Sequence, residues 1–198
     1  MRIGTLSGSL ASDSINSALL GAIGHLVGER AELVPVPIDA LPLYGRDADA
    51  GHPASALAFR ELVRGLDGLM IATPEYNRAI PAALKNALEW GSRPAGENVF
   101  AGLPVGIVGA SPGAVGTALA QQQLRSGLAF LDAPTLGQPE VTLQWRAEML
   151  DAEGRISNAG TRAFLGGWAD RFLAHVAMHA AARAAAAGKA AAAAEVAA

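Results

Sequence analysis

Three short segments carry the residue types from which a binding or catalytic site could be built. The first, Ser7-Gly8-Ser9-Leu10-Ala11-Ser12-Asp13-Ser14-Ile15-Asn16, groups hydroxyls, an amide and a glycine ahead of a helical pattern. A helix opening there offers free backbone N–H groups and about half a unit of positive dipole charge, which suits an anion. The loop matches neither G-x-x-x-x-G-K-[ST] nor G-x-G-x-x-G, so it lacks the lysine of a P-loop and the glycine spacing of a dinucleotide fold. Read alone, it serves equally well as an ordinary helix start capped by Ser12 or Asp13. The second segment, Thr73-Pro74-Glu75-Tyr76-Asn77, follows an apolar run and precedes Ile80-Pro81; alone it could be only a strand-to-helix turn. The third, Gly109-Ala110-Ser111-Pro112-Gly113, spells G-x-S-x-G, the pattern of a nucleophile elbow. Asp132 or Asp151 and His175 or His179 follow it in the order of an acid and a base, which makes an α/β-hydrolase-like serine esterase using Ser111 the rival enzyme reading. Against it, both histidines fall on the Ala-rich last helix and no HGGG-like oxyanion loop is present. Spaced four apart, His175 and His179 could share a metal, but no nearby Glu completes a zincin motif, and no metal site is expected.

The elements that would hold these segments alternate. Strand-like runs occur near Arg2 to Leu6, Ala31 to Val36, Gly68 to Thr73, Pro104 to Gly109 and Pro139 to Leu143. Helical patterns fit from about Ser14 to Val27, Ala54 to Arg64, Ile80 to Trp90 and Val115 to Phe130, with a last helix from about Ala159 into the tail. This order predicts an α/β fold with a parallel sheet and helices on both faces. In such a fold the three segments become loops that converge at the carboxyl ends of the strands. Residues 1–179 read as one domain, and the low-complexity segment 180–198 as a helical extension that frays and carries no chemistry.

Composition narrows the function classes. With 198 residues, 51% of them hydrophobic, the chain can bury a full core. A net charge of -3 and scattered arginines give no basic stripe, so nucleic acid is not an expected partner. The absence of cysteine excludes disulfides, thiolate metal sites and a cysteine nucleophile. The N-terminus enters a strand-like segment without a signal-peptide pattern, and alanine is too weakly hydrophobic for the tail to span a bilayer. A cytoplasmic protein with no membrane contact is therefore expected.

Taken together, the three segments resemble the NADPH-dependent FMN reductase family, in particular its chromate and quinone reductase branch. The family patterns G-S-L-R-x-x-S-x-N, T-P-E-Y-N-x-x-I/V-P-x-x-L-K-N-A-x-x-W and S-x-G-x-x-G are similar to Gly8 through Asn16, Thr73 through Trp90 and Ser111 through Gly116. The second is long and specific, and the likeness runs from about Ile3 to Val141. It implies a flavodoxin-like three-layer sandwich with a five-stranded parallel sheet of order 2-1-3-4-5 and noncovalent FMN. It also implies NADPH or NADH as co-substrate and a homodimer or dimer of dimers. The electron acceptor would be a small molecule: a quinone, an azo compound, chromate or free flavin. Carried over by position, Ser9, Ser14, Ile15 and Asn16 would hold the FMN phosphate; Pro74, Glu75, Tyr76 and Asn77 would line the isoalloxazine; Ser111 and Gly113 would close its other side. No side chain is assigned as catalytic, since the flavin is the reactive group. In the helix after the third segment, Gln121, Gln122, Gln123 and Arg125 would supply polar interface contacts. Ala11 departs from the family's arginine, and Asp13 adds a negative charge two residues on, which predicts weaker electrostatics for a phosphate. A flavodoxin-like electron carrier or binding module is the remaining alternative, to which so small a net charge gives little support.

Overall fold

The segment Gly-Leu-Met-Ile-Ala forms strand β3 (Gly68–Ala72) and is buried at every residue, as a strand covered on both faces must be. In this computed structural model, which describes residues 1–196 and side chains through Ala182, four further strands flank it. They are β1 (Arg2–Ser7), β2 (Glu32–Pro35), β4 (Val105–Ser111) and β5 (Val141–Gln144). All pairings are parallel and the order is β2-β1-β3-β4-β5, as expected. The order reverses between β1 and β3, which places a topological switch point at the carboxyl ends of those strands.

Alternating side chains divide the core in two. Leu6, Leu69, Ile71, Val105 and Ile107 face α2 (Ala54–Arg64), α3 (Ala82–Ser92) and α4 (Ala118–Phe130). Ile3, Met70, Val108 and Val141 face α1 (Ile15–Val27) and α5 (Ala159–Val196), where Trp168 and Phe172 stack at 5.4 Å. Among the described residues no helix is long and apolar enough to cross a membrane. The expectation of a frayed tail without chemistry falls mostly on side chains outside that description.

Two helices start later than their apolar periodicity predicts. Pro81 is the N-cap of α3 rather than a first-turn residue, held extended at ψ 147. Ahead of α4, Gly113 to Gly116 close a turn, with Gly116 at φ 63 and its N–H donating to Gly113 O, so helical geometry begins only after Thr117. A buried cation joins α2 to the end of α3. Arg60 is 1% exposed, and its guanidinium donates to the carbonyls of Trp90, Arg93 and Glu97 and to the Glu97 carboxylate at 3.0 Å. The last turn of a helix leaves carbonyls without intrahelical partners, and Arg60 satisfies them with a charge of the sign the dipole favours there.

Candidate functional site at the carboxyl ends of strands 1, 3 and 4

The loop after β1 opens α1 through Ser14, not through Ser12 or Asp13. Ser14 Oγ accepts from Ser17 N at 3.2 Å and Ser9 Oγ from Ala11 N at 3.3 Å, so both hydroxyl protons are left to donate elsewhere. The N–H groups of Ile15 and Asn16, in the first turn, have no acceptor among the described residues. These four neutral donors border a cavity of about 230 Å³.

The Asn16 side chain departs from its expected role. It is 1% exposed, and its amide bonds Ala110 twice, Nδ2 donating to the carbonyl at 3.0 Å and Oδ1 accepting from the N–H at 2.9 Å. The β3–β4 ladder ends where Thr73 N–H donates to Val108 O at 3.0 Å, because the chain leaves the sheet at Pro74. Asn16 completes the backbone of β4 two residues beyond that point. What it can offer an anion is its main-chain N–H, and the amide serves to lock α1 onto β4.

The loop after β3 is braced in three places. Tyr76 and Ala79 exchange backbone hydrogen bonds of 3.0 Å around Asn77 and Arg78, both in the left-handed region at φ 52 and φ 67. This is the geometry of a type I′ turn, which asparagine tolerates well and arginine less so. At one end of the loop, Glu75 Oε2 accepts from the N–H groups of Leu119 and Ala120, at 3.0 and 3.1 Å. At the other, Ile80 N–H donates to Gln123 Oε1 at 2.8 Å. The Glu75 carboxylate is thus engaged with the start of α4, while the residue still borders the cavity.

The cavity joins Ser9, Ser14, Ile15, Asn16, Pro74, Glu75, Tyr76 and Ser111 in one wall; Asn77 and Gly113 stand outside it. Ala110 and Pro112 line it without having been expected, although Pro112 interrupts the third motif and Ala110 is the partner of Asn16. Among the described residues no Lys, Arg or His borders the cavity, and Asp13 does, so the electrostatic consequence read from Ala11 and Asp13 has its structural counterpart.

The nucleophile-elbow reading of Ser111 fails on geometry. Its hydroxyl is placed to donate to Gly116 O at 2.8 Å or Gly113 O at 3.3 Å, and its backbone lies outside the left-handed region. The His175 ring is elsewhere, with Nε2 at 3.1 Å from Pro134 O, and His179 packs edge-on against it at 4.5 Å. Burial, and next the charge of His175, hold the His179 pKa below its ordinary value. The glycine that begins G-x-S-x-G has a packing cause: a Cβ at Gly109 would run into Thr117 Oγ1 and the Thr73 carbonyl. Among the described residues no cluster of metal-ligating side chains occurs.

In sequence and in fold the chain is similar to known reductases. Residues 1–147 match the family described as NADPH-dependent FMN reductase. The chain is 42% identical over 176 residues to a 2-hydroxy-1,4-benzoquinone reductase of Burkholderia sp., covering 89% of this chain and 96% of that protein. It is 45% identical over 152 residues to an NAD(P)H-dependent FMN reductase of Pseudomonas aeruginosa, covering 76% of this chain and 82% of the relative. Among solved structures, the flavoenzyme NAD(P)H:(acceptor) oxidoreductase FerB from Paracoccus denitrificans superposes with a TM-score of 0.87 at 35% identity, over 90% of this chain and 98% of the other. Fold, strand order, loop cluster and likeness in sequence converge, and the chain belongs to the NADPH-dependent FMN reductase family.

Proposed function

We propose that the protein is an NAD(P)H-dependent oxidoreductase that holds FMN at this loop cluster and passes electrons to quinones or similar small acceptors. The observation that carries the reading is the set of unengaged donors at the start of α1, the N–H groups of Ile15 and Asn16 and the hydroxyls of Ser9 and Ser14, beside a cavity at the switch point. Together they fit a phosphomonoester, while Pro74, Tyr76 and Ser111 offer the flank of a planar ring. Bound there, FMN supplies the redox chemistry between nicotinamide and acceptor, and the protein supplies binding and orientation. Purified protein with a flavin absorption spectrum, releasing FMN on denaturation and oxidising NADH or NADPH in steady state with a benzoquinone, is the expected result. Protein that neither contains nor takes up FMN overturns the assignment; flavin without steady turnover favours an electron carrier. Residues 1–179 form the reductase domain on this reading, and a reducing cytoplasm suits a cysteine-free, NAD(P)H-using enzyme. Chromate and azo compounds are acceptors to be tried in the same assay.

The phosphate end lacks a cation, which gives a direct prediction. Ala11→Arg adds a guanidinium able to make charge-assisted hydrogen bonds to phosphate, and FMN is expected to bind about tenfold tighter. Riboflavin, without the phosphate, is expected to bind unchanged. Fluorescence titration of both flavins measures the difference.

A dimer is part of the same proposal. A groove of about 750 Å³ runs between α3 and α4, lined by Ile80, Leu88, Leu119 and Phe130, and Phe130 is 89% exposed. A ring so exposed beside an apolar groove is the pattern of a surface that a second copy covers. Gln121 and Arg125 are withdrawn from the expected interface: Gln121 is buried against Thr117 and Val141, and Arg125 donates to Leu136 O at 2.7 Å. Phe130→Glu is expected to convert a dimer to a monomer at micromolar concentration in light scattering; an unchanged mass would place the interface elsewhere.

A further inference from the structure

Helix α4 starts without a cap of its own. Its N-cap, Thr117, makes no capping bond with its side chain, and no acidic residue lies in its first turn. The missing acceptor comes from the loop after β3. Glu75 Oε2 takes the N–H groups of Leu119 and Ala120, and the side chain that reaches them is 9% exposed. A carboxylate there also meets the positive end of the helix dipole. The far end of the same loop is fixed to the next turn of α4, through Ile80 N–H and Gln123 Oε1. Between the two anchors the loop closes on itself through Tyr76 and Ala79. The backbone that would meet a flavin ring is therefore placed by α4, at two points one helical turn apart, as well as by the strand from which it springs.

We infer that Glu75 and Gln123 are positioning residues for the flavin, acting through the main chain of the loop they anchor, which borders the cavity at Pro74 to Tyr76, and not by side-chain contact with the ring. This inference rests on the FMN assignment above. Its chemistry separates Glu75 from a residue that touches the cofactor. A glutamine at 75 keeps an oxygen able to accept both N–H groups and loses the charge that faces the helix dipole and the exposed Arg78 guanidinium, 3.7 Å from Oε1, whereas alanine loses the anchor as well. The comparison of Glu75→Gln with Glu75→Ala thus reads position apart from charge.

The test is titration of apo-protein with FMN by fluorescence, at a temperature where circular dichroism shows each variant folded. Glu75→Ala is expected to weaken FMN binding at least about tenfold, and Glu75→Gln by no more than about threefold. Gln123→Ala is expected to fall on the alanine side, although it lies on a different element. The visible absorption bands of bound flavin report the environment of the ring. They are expected to shift in both alanine variants and to keep the wild-type shape in Glu75→Gln. If Glu75→Ala lowers the unfolding temperature but leaves FMN affinity and the spectrum as in the wild type, the role is merely structural and the inference is wrong. Glu75→Gln as damaging as Glu75→Ala would also overturn it, because the carboxylate itself would then be what the flavin needs. Wild-type protein that binds no flavin would overturn the cofactor assignment before either variant was compared.

Discussion

Asn16→Ala is expected to destabilise the apo-protein by about 2–5 kcal/mol and to abolish flavin retention on purification. The amide supplies both partners of the Ala110 main chain in a place that is 1% exposed, so truncation strands a buried N–H and a buried carbonyl together. Each buried backbone group left without a partner costs ~1–3 kcal/mol. Among the described residues no second side chain bonds Ala110 to compensate. The same bond holds the start of α1, with its free N–H groups, in register with the end of β4, so the loops bordering the cavity separate when it is lost. Asn16→Asp is no rescue: its carboxylate could accept from the Ala110 N–H but would set a buried charge against the Ala110 carbonyl. Urea denaturation of the apo-forms measures the first effect and flavin content the second. A loss under ~1 kcal/mol, well below the cost of one stranded group, would show that water enters and satisfies Ala110.

Arg60→Ala is expected to cost about 3–5 kcal/mol, since the guanidinium is 1% exposed and its loss leaves several carbonyls without a donor, while the Glu97 carboxylate, 58% exposed, returns to water. The Trp90, Arg93 and Glu97 carbonyls lose their donor together. For a domain of this length that corresponds to a fall of roughly 6–20 °C in the unfolding midpoint. Lysine should recover only part of it, because one ammonium cannot span the acceptors that the planar guanidinium reaches. The network lies at the end of α3 away from the Pro81 cap, so flavin affinity of the folded fraction should change far less than in Asn16→Ala. Scanning calorimetry with flavin titration separates the two variants; equal loss of flavin affinity in both would show that the ends of α3 are not independent.

How much of this was legible in the sequence depends on how far apart the interacting residues lie. The strands and α2 could be read from local apolar patterns, and the three loops follow from strand ends in a parallel sheet. Local periodicity misplaced the starts of α3 and α4, since neither Pro81 as a cap nor the Gly113 to Gly116 turn alters the spacing of apolar residues. Two of the polar motif residues have side-chain partners far along the chain. Asn16 acts on Ala110, 94 residues away, and Glu75 acts on Leu119 and Ala120, 44 and 45 away. A polar residue in a loop motif reads as a ligand contact until the backbone group it satisfies is seen, and no spacing rule announces that partner. Gln121 and Arg125 were misread for the same reason, because both turn inward to carbonyls beyond their own helix. The G-x-S-x-G match at 109–113 marks the opposite hazard: Gly109 has a packing cause and Ser111 a hydrogen-bonding one, and the pattern marks no nucleophile.

The turn at Asn77 and Arg78 sits in a loop that enters at Pro74, ends at Pro81 and is anchored at Glu75 and Ile80. Proline fixes φ at both boundaries, and the hydrogen bonds between Tyr76 and Ala79 leave the residues between them few conformations. The conformational entropy of this segment is therefore lost when the chain folds and not when a ligand arrives. Ordering one backbone residue costs ~1–2 kcal/mol, so leaving the four turn residues loose until binding would take several kcal/mol out of the observed affinity. A ligand meeting a loop already set in place keeps that free energy, and its capture is limited by encounter rather than by waiting for the loop to close.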